Sequence, residues 1–245
     1  MPTPGQSSGT QTFFLSNSEL VFEAFDRCQV RPTEITRHHL ISARRSMNLE
    51  LLDWSNKGIN LWEMVQAQLT LIAGQPTYTL PQNLVTVTEM YFSTVNANGA
   101  GFNSDRIMIP ITRTQYAQIP NKLQPGTPTQ YWLERLEAPV MTIWQPPFQG
   151  GPAYVINYNY LQRIDDAGLA TGETPDVPYR ALEALCCGLA KRVAKKFAPA
   201  GLRQQIVAET ASDFTEAWNN FITNDQEDGP MIMQPNVGGY GRMRR

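Results

Sequence analysis

A strict alternation of apolar and polar residues beginning at Val65 constrains this chain more than any other feature. The apolar members are Val65, Ala67, Leu69 and Leu71, and the polar residues between them are Gln66, Gln68 and Thr70. A period of two puts the apolar side chains on one face of an extended segment, which predicts a half-buried strand. Residues 74–76 (Gly-Gln-Pro) interrupt the pattern, which resumes over 77–80. We therefore predict a β-hairpin here.

Strand patterns continue well beyond this segment. The predicted strands cover 62–72, 77–81, 84–95, 105–110, 129–136, 140–145 and 153–162. Proline and glycine are frequent in the connections, as antiparallel loops require. Between the strands, Thr112 to Ile119 has the pattern of one or two helical turns, with Thr112 or Thr114 as the cap. Residues 59–165 are thus predicted to form an antiparallel β module.

Helical patterns flank this module on both sides. Ser16 or Asn17 is predicted to cap a short helix through Cys28, and a longer helix runs from Pro32 to about Asn56. Its apolar residues recur at three-and-four spacing, which marks one buried stripe: Leu40, Ala43, Met47, Leu51 and Trp54. Two more helices are predicted over 178–199 and about 200–225. The two N-terminal helices alone would expose an apolar stripe, and so would the two C-terminal helices. We therefore expect these two pairs of helices to pack together.

The predicted fold class is therefore α+β, an antiparallel helical bundle of N- and C-terminal helices with an inserted antiparallel β module and an extended C-terminal arm. The expected divisions are a flexible segment 1–12, the bundle 13–58 and 176–226, the β module 59–165, a connecting loop 166–175 and the arm 227–245.

Composition excludes several classes of protein. The 245 residues carry a formal net charge of −2 and are only 17% charged, whereas a protein that reads DNA sequence normally has a basic surplus. Three cysteines do not make a disulfide framework, which favours a reducing compartment. The first twelve residues are polar and do not resemble a signal peptide, and no apolar run has the length of a membrane span. We expect no membrane insertion and synthesis in a cytoplasm.

Candidate catalytic and metal-binding residues have simpler interpretations. His38 and His39 are adjacent on a helix, so they diverge by about 100°, and a metal pair needs three-or-four spacing. The acidic loop of Asp165, Asp166, Glu173 and Asp176 lacks the alternating oxygen ligands of a calcium loop. Cys186 and Cys187 fall in an apolar helix stripe, which is typical of buried cysteines. We predict no enzyme activity, no cofactor and no metal; the enzyme alternative, a wall hydrolase, would need two carboxylates placed across a cleft.

A basic run on the predicted helix 178–199 leaves two interpretations open. It comprises Lys191, Arg192, Lys195 and Lys196. These residues are able to contact a nucleic-acid backbone, or to compensate the helix dipole on a solvated face near the C-terminal end. The low overall charge favours the second interpretation. Arg44 and Arg45 have the same ambiguity.

The tail beyond Asp228 is the strongest functional candidate. It lacks helix or strand periodicity, and methionine, tyrosine and arginine are common where a chain docks on a partner. The candidate docking residues are Met231, Ile232, Met233, Tyr240, Arg242, Arg244 and Arg245.

Four segments then resemble a known family. They are INLWEMVQAQLTLIAGQPTYTLPQNLVTVTEMYF (59–92), DRIMIPITRTQYAQIPNKLQPGTPTQYWLERLEAPVMTIWQPP (105–147), INYNYLQRIDDAG (156–168) and TPDVPYRALEALCCGLAKRVAKKF (174–197). These segments, and the order of the parts, resemble the head–tail adaptor (connector) proteins of short-tailed bacteriophages, which dock beneath the portal.

This resemblance implies a structural virion protein at the head–tail junction, assembled in the host cytoplasm. It implies a homo-oligomeric ring, typically a dodecamer, between the portal protein and the tail nozzle or tube protein. Viral DNA would pass through the lumen without specific binding. The segment 229–245 would reach into the portal, and the β module would face neighbouring subunits or the tail.

Another virion role fits part of the pattern: a tail-tube or nozzle subunit, or a receptor-binding tail module. Tyr131, Trp132 and Trp144 are expected to be exposed aromatic residues of the β module. Such residues suit glycan stacking and contacts with a subunit or tail protein equally well.

Overall fold

The structure is a computed structural model that describes residues 10–57, 61–95, 104–150, 153–168, 170 and 172–224. Five α-helices and two four-stranded sheets lie within these residues, so the α+β class is confirmed. The helices are α1 (Asn17–Arg27), α2 (Arg37–Lys57), α3 (Arg113–Gln118), α4 (Leu182–Phe197) and α5 (Arg203–Asn224). Short 3-10 turns at Pro32–Glu34, Leu61–Glu63 and Tyr179–Ala181 precede α2, the first strand and α4.

Helix α1 begins where its sequence predicts. The Ser16 hydroxyl accepts a hydrogen bond from the Glu19 amide, and the Glu19 carboxylate accepts one from the Ser16 amide. This reciprocal capping box satisfies amides that the first helical turn leaves without a partner. Helix α3 begins in the same way at Thr112, paired with Gln115.

Helices α1, α2, α4 and α5 share one hydrophobic core. Its centre is an aromatic group in which the Trp54 ring lies 5.0 Å from Trp218 and 5.7 Å from Phe221, measured between ring centroids. The Trp54 indole donates to the buried carboxylate of Glu50, which also pairs with Arg192 of α4. A Cβ at Gly188 would lie 3.0 Å from the Glu50 side chain, so glycine allows α4 to approach this carboxylate.

The eight strands are β1 (Met64–Thr70), β2 (Thr77–Thr79), β3 (Leu84–Val95), β4 (Asp105–Ile107), β5 (Ile109–Pro110), β6 (Gln130–Glu134), β7 (Val140–Trp144) and β8 (Ala153–Gln162). One sheet has the order β1-β8-β3-β4 and the other β2-β7-β6-β5. The inner faces of the two sheets share a second hydrophobic core, which includes Phe92, Ile156, Met141 and Ile143. This core is separate from the helical one.

The predicted hairpin between 65–71 and 77–80 is wrong, although both segments are strands. β1 pairs with β8 in the first sheet, and β2 pairs with β7 in the second. The Gly74 turn, with φ of +75°, carries the chain from one sheet to the other. Alternation specifies which face of a strand is buried, but it does not specify the neighbouring strand.

The prediction of a wholly antiparallel β module also needs correction. Residues 104–111 form one extended run that changes sheets: β4 pairs with β3 antiparallel, and β5 pairs with β6 parallel. The Met108 side chain stays buried at the crossing. Because β4 and β5 run in the same direction and the neighbouring strands β3 and β6 run in opposite directions, the run is antiparallel to one and parallel to the other.

We expect Trp54→Ala to lower the free energy of unfolding by about 3–5 kcal/mol, because it removes a fully buried indole from the centre of the helical core. Chemical denaturation monitored by circular dichroism measures this change. Leu49→Ala on the exposed face of the same helix is the matched control and should stay within about 0.5 kcal/mol of wild type. Equal losses in the two variants would contradict the central role of Trp54.

Candidate interaction surfaces

A cluster of carboxylates lies where the β module joins the helices. The Glu63 side chain is 2% exposed and accepts a 2.7 Å hydrogen bond from the Gln162 amide of β8. The Asp176 carboxylate accepts a hydrogen bond from the Asp165 amide, and the Asp176 carbonyl accepts one from the Trp62 indole. The segments that lead into β1 and out of β8 are therefore tied to the segment before α4.

Burial, together with the charge and hydrogen bond of Asp176 and the charge of Asp165, raises the pKa of Glu63 to about 7, although the hydrogen bond from Gln162 acts in the opposite direction. A protonated Glu63 is able to donate a hydrogen bond to Asp176, whereas two adjacent carboxylates repel each other. The sequence pattern placed Asp176 only in an acidic loop without the ligand spacing of a calcium site. It missed Glu63, whose only signal is a lone acid in an otherwise apolar segment.

A groove of about 1140 Å³ lies between the segment before α1 and helices α1 and α4. Its apolar lining includes Phe13, Phe14, Tyr179 and Leu182. The rings of Phe13 and Tyr179 are largely exposed. A surface of this kind favours apolar side chains of another polypeptide over a charged ligand.

The charged side chains at this groove are already paired. The Arg27 guanidinium lies 2.9 Å from the Glu183 carboxylate and 3.0 Å from that of Glu23. The hydrogen bond from Arg27 holds the pKa of Glu183 below its usual value. The polar side of the groove thus has one guanidinium paired with two carboxylates, a net charge of −1.

The outer face of the second sheet carries an aromatic patch, which we define as Tyr116, Trp132 and Trp144. The Tyr116 and Trp132 rings are stacked at 5.2 Å, and the Trp144 indole donates to the Asn121 carbonyl at 3.1 Å. Lys122 lies 5.6 Å from the Tyr116 ring centroid and caps α3 by donating to the Ala117 and Ile119 carbonyls. Trp132 and Trp144 are half-buried, so part of each ring is available to a partner.

The prediction that Tyr131 is exposed is wrong. Its side chain is 6% exposed and belongs to the core between the sheets, and burial raises its pKa. Successive residues of a strand point to opposite faces, so Tyr131 and Trp132 cannot share the outer face. The pairing of Gln130 with Trp144 places Trp144 on the same face as Trp132.

The basic run of α4 makes contacts within the chain. Arg192 pairs with buried Glu50, and Lys196 donates to the Ser46 hydroxyl at 2.8 Å. The Lys191 ammonium lies 4.0 Å from the centroid of the Phe214 ring. These three cations are occupied by other helices, which favours the intramolecular interpretation over a nucleic-acid contact.

The histidines and cysteines also have structural surroundings. Nδ1 of His39 accepts from the Thr36 amide at the start of α2, and its ring contacts Phe197. Cys186 and Cys187 are buried, as predicted, and burial raises their thiol pKa values to about 12 and about 11. Thiols with such pKa values are protonated near neutral pH, which argues against nucleophilic or redox roles.

The candidate docking residues of the tail, from Met231 to Arg245, lie outside the described residues. Within the described ranges, no group of three or more histidine, cysteine, aspartate or glutamate side chains is arranged to hold a metal ion. Of the helices that the structure describes, none combines the length and the apolar character of a membrane span.

The described residues thus form two hydrophobic cores and carry an apolar groove and an aromatic patch at the surface. A family model described as SU10 adaptor protein matches residues 38–235, which include most of the helical core and all eight strands. The chain therefore belongs to the SU10 adaptor protein family, a family of structural bacteriophage adaptors. A comparison with curated proteins gave no match.

The buried Glu63 carboxyl should make folding stability depend on pH. The folded pKa of about 7 exceeds the ordinary value of 4.5. Between these values the folded chain holds a proton that the unfolded chain releases, so this group lowers stability as pH rises from about 4.5 to 7. We expect Glu63→Gln to gain stability relative to wild type over this interval, on the order of 1–3 kcal/mol.

Urea denaturation of both proteins at pH 5 and pH 8 measures this difference. Glu137→Gln, on an exposed turn of the β module, controls for the removal of one carboxylate elsewhere. If the free energies of unfolding of Glu63→Gln and wild type differ by the same amount at both pH values, this result would contradict a raised pKa at Glu63.

Proposed function

We propose that this chain forms a homo-oligomeric ring, a dodecamer, that joins the portal protein to the tail and forms part of the DNA conduit. The observation that carries the proposal is the family match, because it spans both the helical core and the β module. The ring occupies the head–tail junction of the virion and is assembled in the host cytoplasm.

The parts of the chain have distinct roles in this proposal. The N- and C-terminal helices form an antiparallel bundle that is the body of each subunit, and the β module 59–165 is an insertion directed at neighbouring subunits or the tail. The shared core of α1, α2, α4 and α5 supports the first role. The separate core between the sheets supports the second.

The C-terminal segment 229–245 docks on the portal. It follows α5, which ends at Asn224. Methionine adapts to irregular apolar grooves and arginine is frequent at interfaces, so residues 231–233 would fill apolar sites while Tyr240, Arg242, Arg244 and Arg245 bind polar ones.

The aromatic patch is proposed to contact the tail nozzle or tube protein, or a neighbouring subunit, through Trp132 and Trp144. Half-buried aromatic rings supply large contact areas at low entropic cost, because their positions are already restrained. The same patch is the observation that favours the second candidate, a tail-tube, nozzle or receptor-binding subunit. Binding to surface glycans without any portal would favour that candidate.

Passage of DNA requires weak contact with the phosphate backbone. The net charge of −2 and the pairing of Arg192 and Lys196 within the subunit limit the cations available to phosphates. Because each Lys or Arg contact with a phosphate adds electrostatic affinity, few contacts allow a duplex to slide.

Deletion of residues 229–245 should abolish binding to the portal encoded by the same genome and leave the fold intact, because the described cores end before this segment. Native mass spectrometry of the adaptor with portal measures binding, and circular dichroism measures folding. A second variant, with serine at Met231, Ile232 and Met233, separates loss of the apolar residues from loss of length. Undiminished portal binding by the deletion variant would contradict the docking role.

A further inference from the structure

Strand β1 is an open edge of the first sheet. It pairs with β8 on one side, and no other strand lies beside it among the described residues. Its sequence, MVQAQLT, has no charged residue and no proline, and its pairing with β8 runs without a bulge. Folded proteins ordinarily protect an edge of this length with charges, proline, bulges or a covering segment. An unprotected edge favours pairing with another chain.

The hydrogen-bond register identifies the free groups of this edge. The Leu71 amide donates to the Tyr154 carbonyl, so Leu71, and by alternation Leu69, Ala67 and Val65, direct their backbone groups at β8. The amides and carbonyls of Met64, Gln66, Gln68 and Thr70 consequently point away from the sheet. The edge thus presents a row of alternating donors and acceptors.

The opposite edge of the same sheet has matching free groups. The Met108 amide donates to the Met90 carbonyl, and the Thr94 amide donates to the Ser104 carbonyl. By alternation the backbone groups of Arg106 also face β3, so those of Asp105 and Ile107 point outward. The Ile107 side chain is 82% exposed although it is apolar. Met64, at the β1 edge, is 41% exposed and lies on the same face of the sheet as Ile107.

The strand directions also match. All three pairings across the sheet are antiparallel, so β1 and β4 at its two ends run in opposite directions. A second copy placed with its β1 beside β4 therefore continues the sheet in antiparallel order. The contact joins two different surfaces, so it is heterologous and repeats from copy to copy until a rotation closes it into a ring.

We propose that β1 of one copy pairs with β4 of the next copy, with Met64 opposite Ile107 and Gln66 opposite Asp105. This register aligns the outward backbone groups of both strands and covers the two exposed apolar side chains. The inference rests on the ring assembly proposed above and adds the surface that forms it. It does not depend on the C-terminal segment or on the portal.

Proline at Gln66 tests the backbone pairing. Gln66→Pro removes an outward amide and leaves every hydrogen bond to β8 in place. Gln66→Thr is the matched control, because threonine favours a strand and keeps the backbone amide. Like Gln66→Pro, it loses the weak side-chain hydrogen bond from Gln66 to the Tyr91 hydroxyl. We expect Gln66→Thr to assemble like wild type and Gln66→Pro to need at least tenfold more protein to assemble, by native mass spectrometry of the full chain across a concentration series.

A cysteine pair tests the register independently, including the case in which Gln66→Pro does not fold. Antiparallel partners of a hydrogen-bonded pair have Cα atoms about 5.5 Å apart, within the range of a disulfide. Mild oxidation of the Met64→Cys, Ile107→Cys double variant should give a ladder of covalent multimers. Each single variant should give none, because the three native cysteines are buried.

Three results would overturn the inference: assembly of a folded Gln66→Pro variant at the wild-type concentration, the absence of a ladder in an assembled double variant, or a wild-type chain that stays monomeric at every concentration. The first two results leave the proposed adaptor ring standing, because they concern only the surface that forms it. The third would contradict the ring as well, and docking on the portal is measured separately. Conversely, a chain that forms rings but ignores the portal would contradict docking on the portal and leave the β1–β4 contact standing.

Discussion

The pairing of β1 with β8 is the interaction on which the rest of the structure depends. These are the first and last strands of the β module, so their seven-residue ladder brings together the two points where the chain leaves and rejoins the helices. Closing the long loop between these two strands costs conformational entropy, and the hydrogen bonds and side-chain contacts of the sheet offset that cost. With the two ends adjacent, α1 and α2 are able to bury their apolar stripes against α4 and α5 in one core.

The surfaces available to partners follow from this arrangement. Among the described residues, β8 lies between β1 and β3, and β1 is an uncharged strand at the open edge of the sheet. Because residues 104–111 cross from one sheet to the other, Ile107 is left exposed at the opposite edge. Arg192 and Lys196 were candidates for nucleic-acid contact in the sequence, but in the structure they contact side chains of helix α2. The β1 edge and the exposed Ile107 side chain are therefore the features that we propose for contact with another copy of the chain.

Local signals in the sequence predicted the elements well and their partners poorly. Ser16 and Thr112 begin helices because a side-chain oxygen three residues before an amide is sufficient to cap a turn, and this chemistry is local. The alternation from Val65 to Leu71 gave the correct buried face of β1. The hairpin was wrong because strand pairing depends on residues about ninety positions away, as in the pairing of Val65 with Tyr160. The same alternation would have shown that Tyr131 and Trp132 face opposite sides.

The sequence by itself determined the α+β class, the capped helix starts, the buried faces and the resemblance to phage adaptors, because periodicity and capping are properties of a few neighbouring residues. Only the tertiary structure decided that β1 and β2 belong to different sheets, that Tyr131 is buried, and that Glu63 lies beside Asp176 with a raised pKa. Burial and electrostatic coupling depend on which distant segments meet, and that follows from the packing of the whole chain.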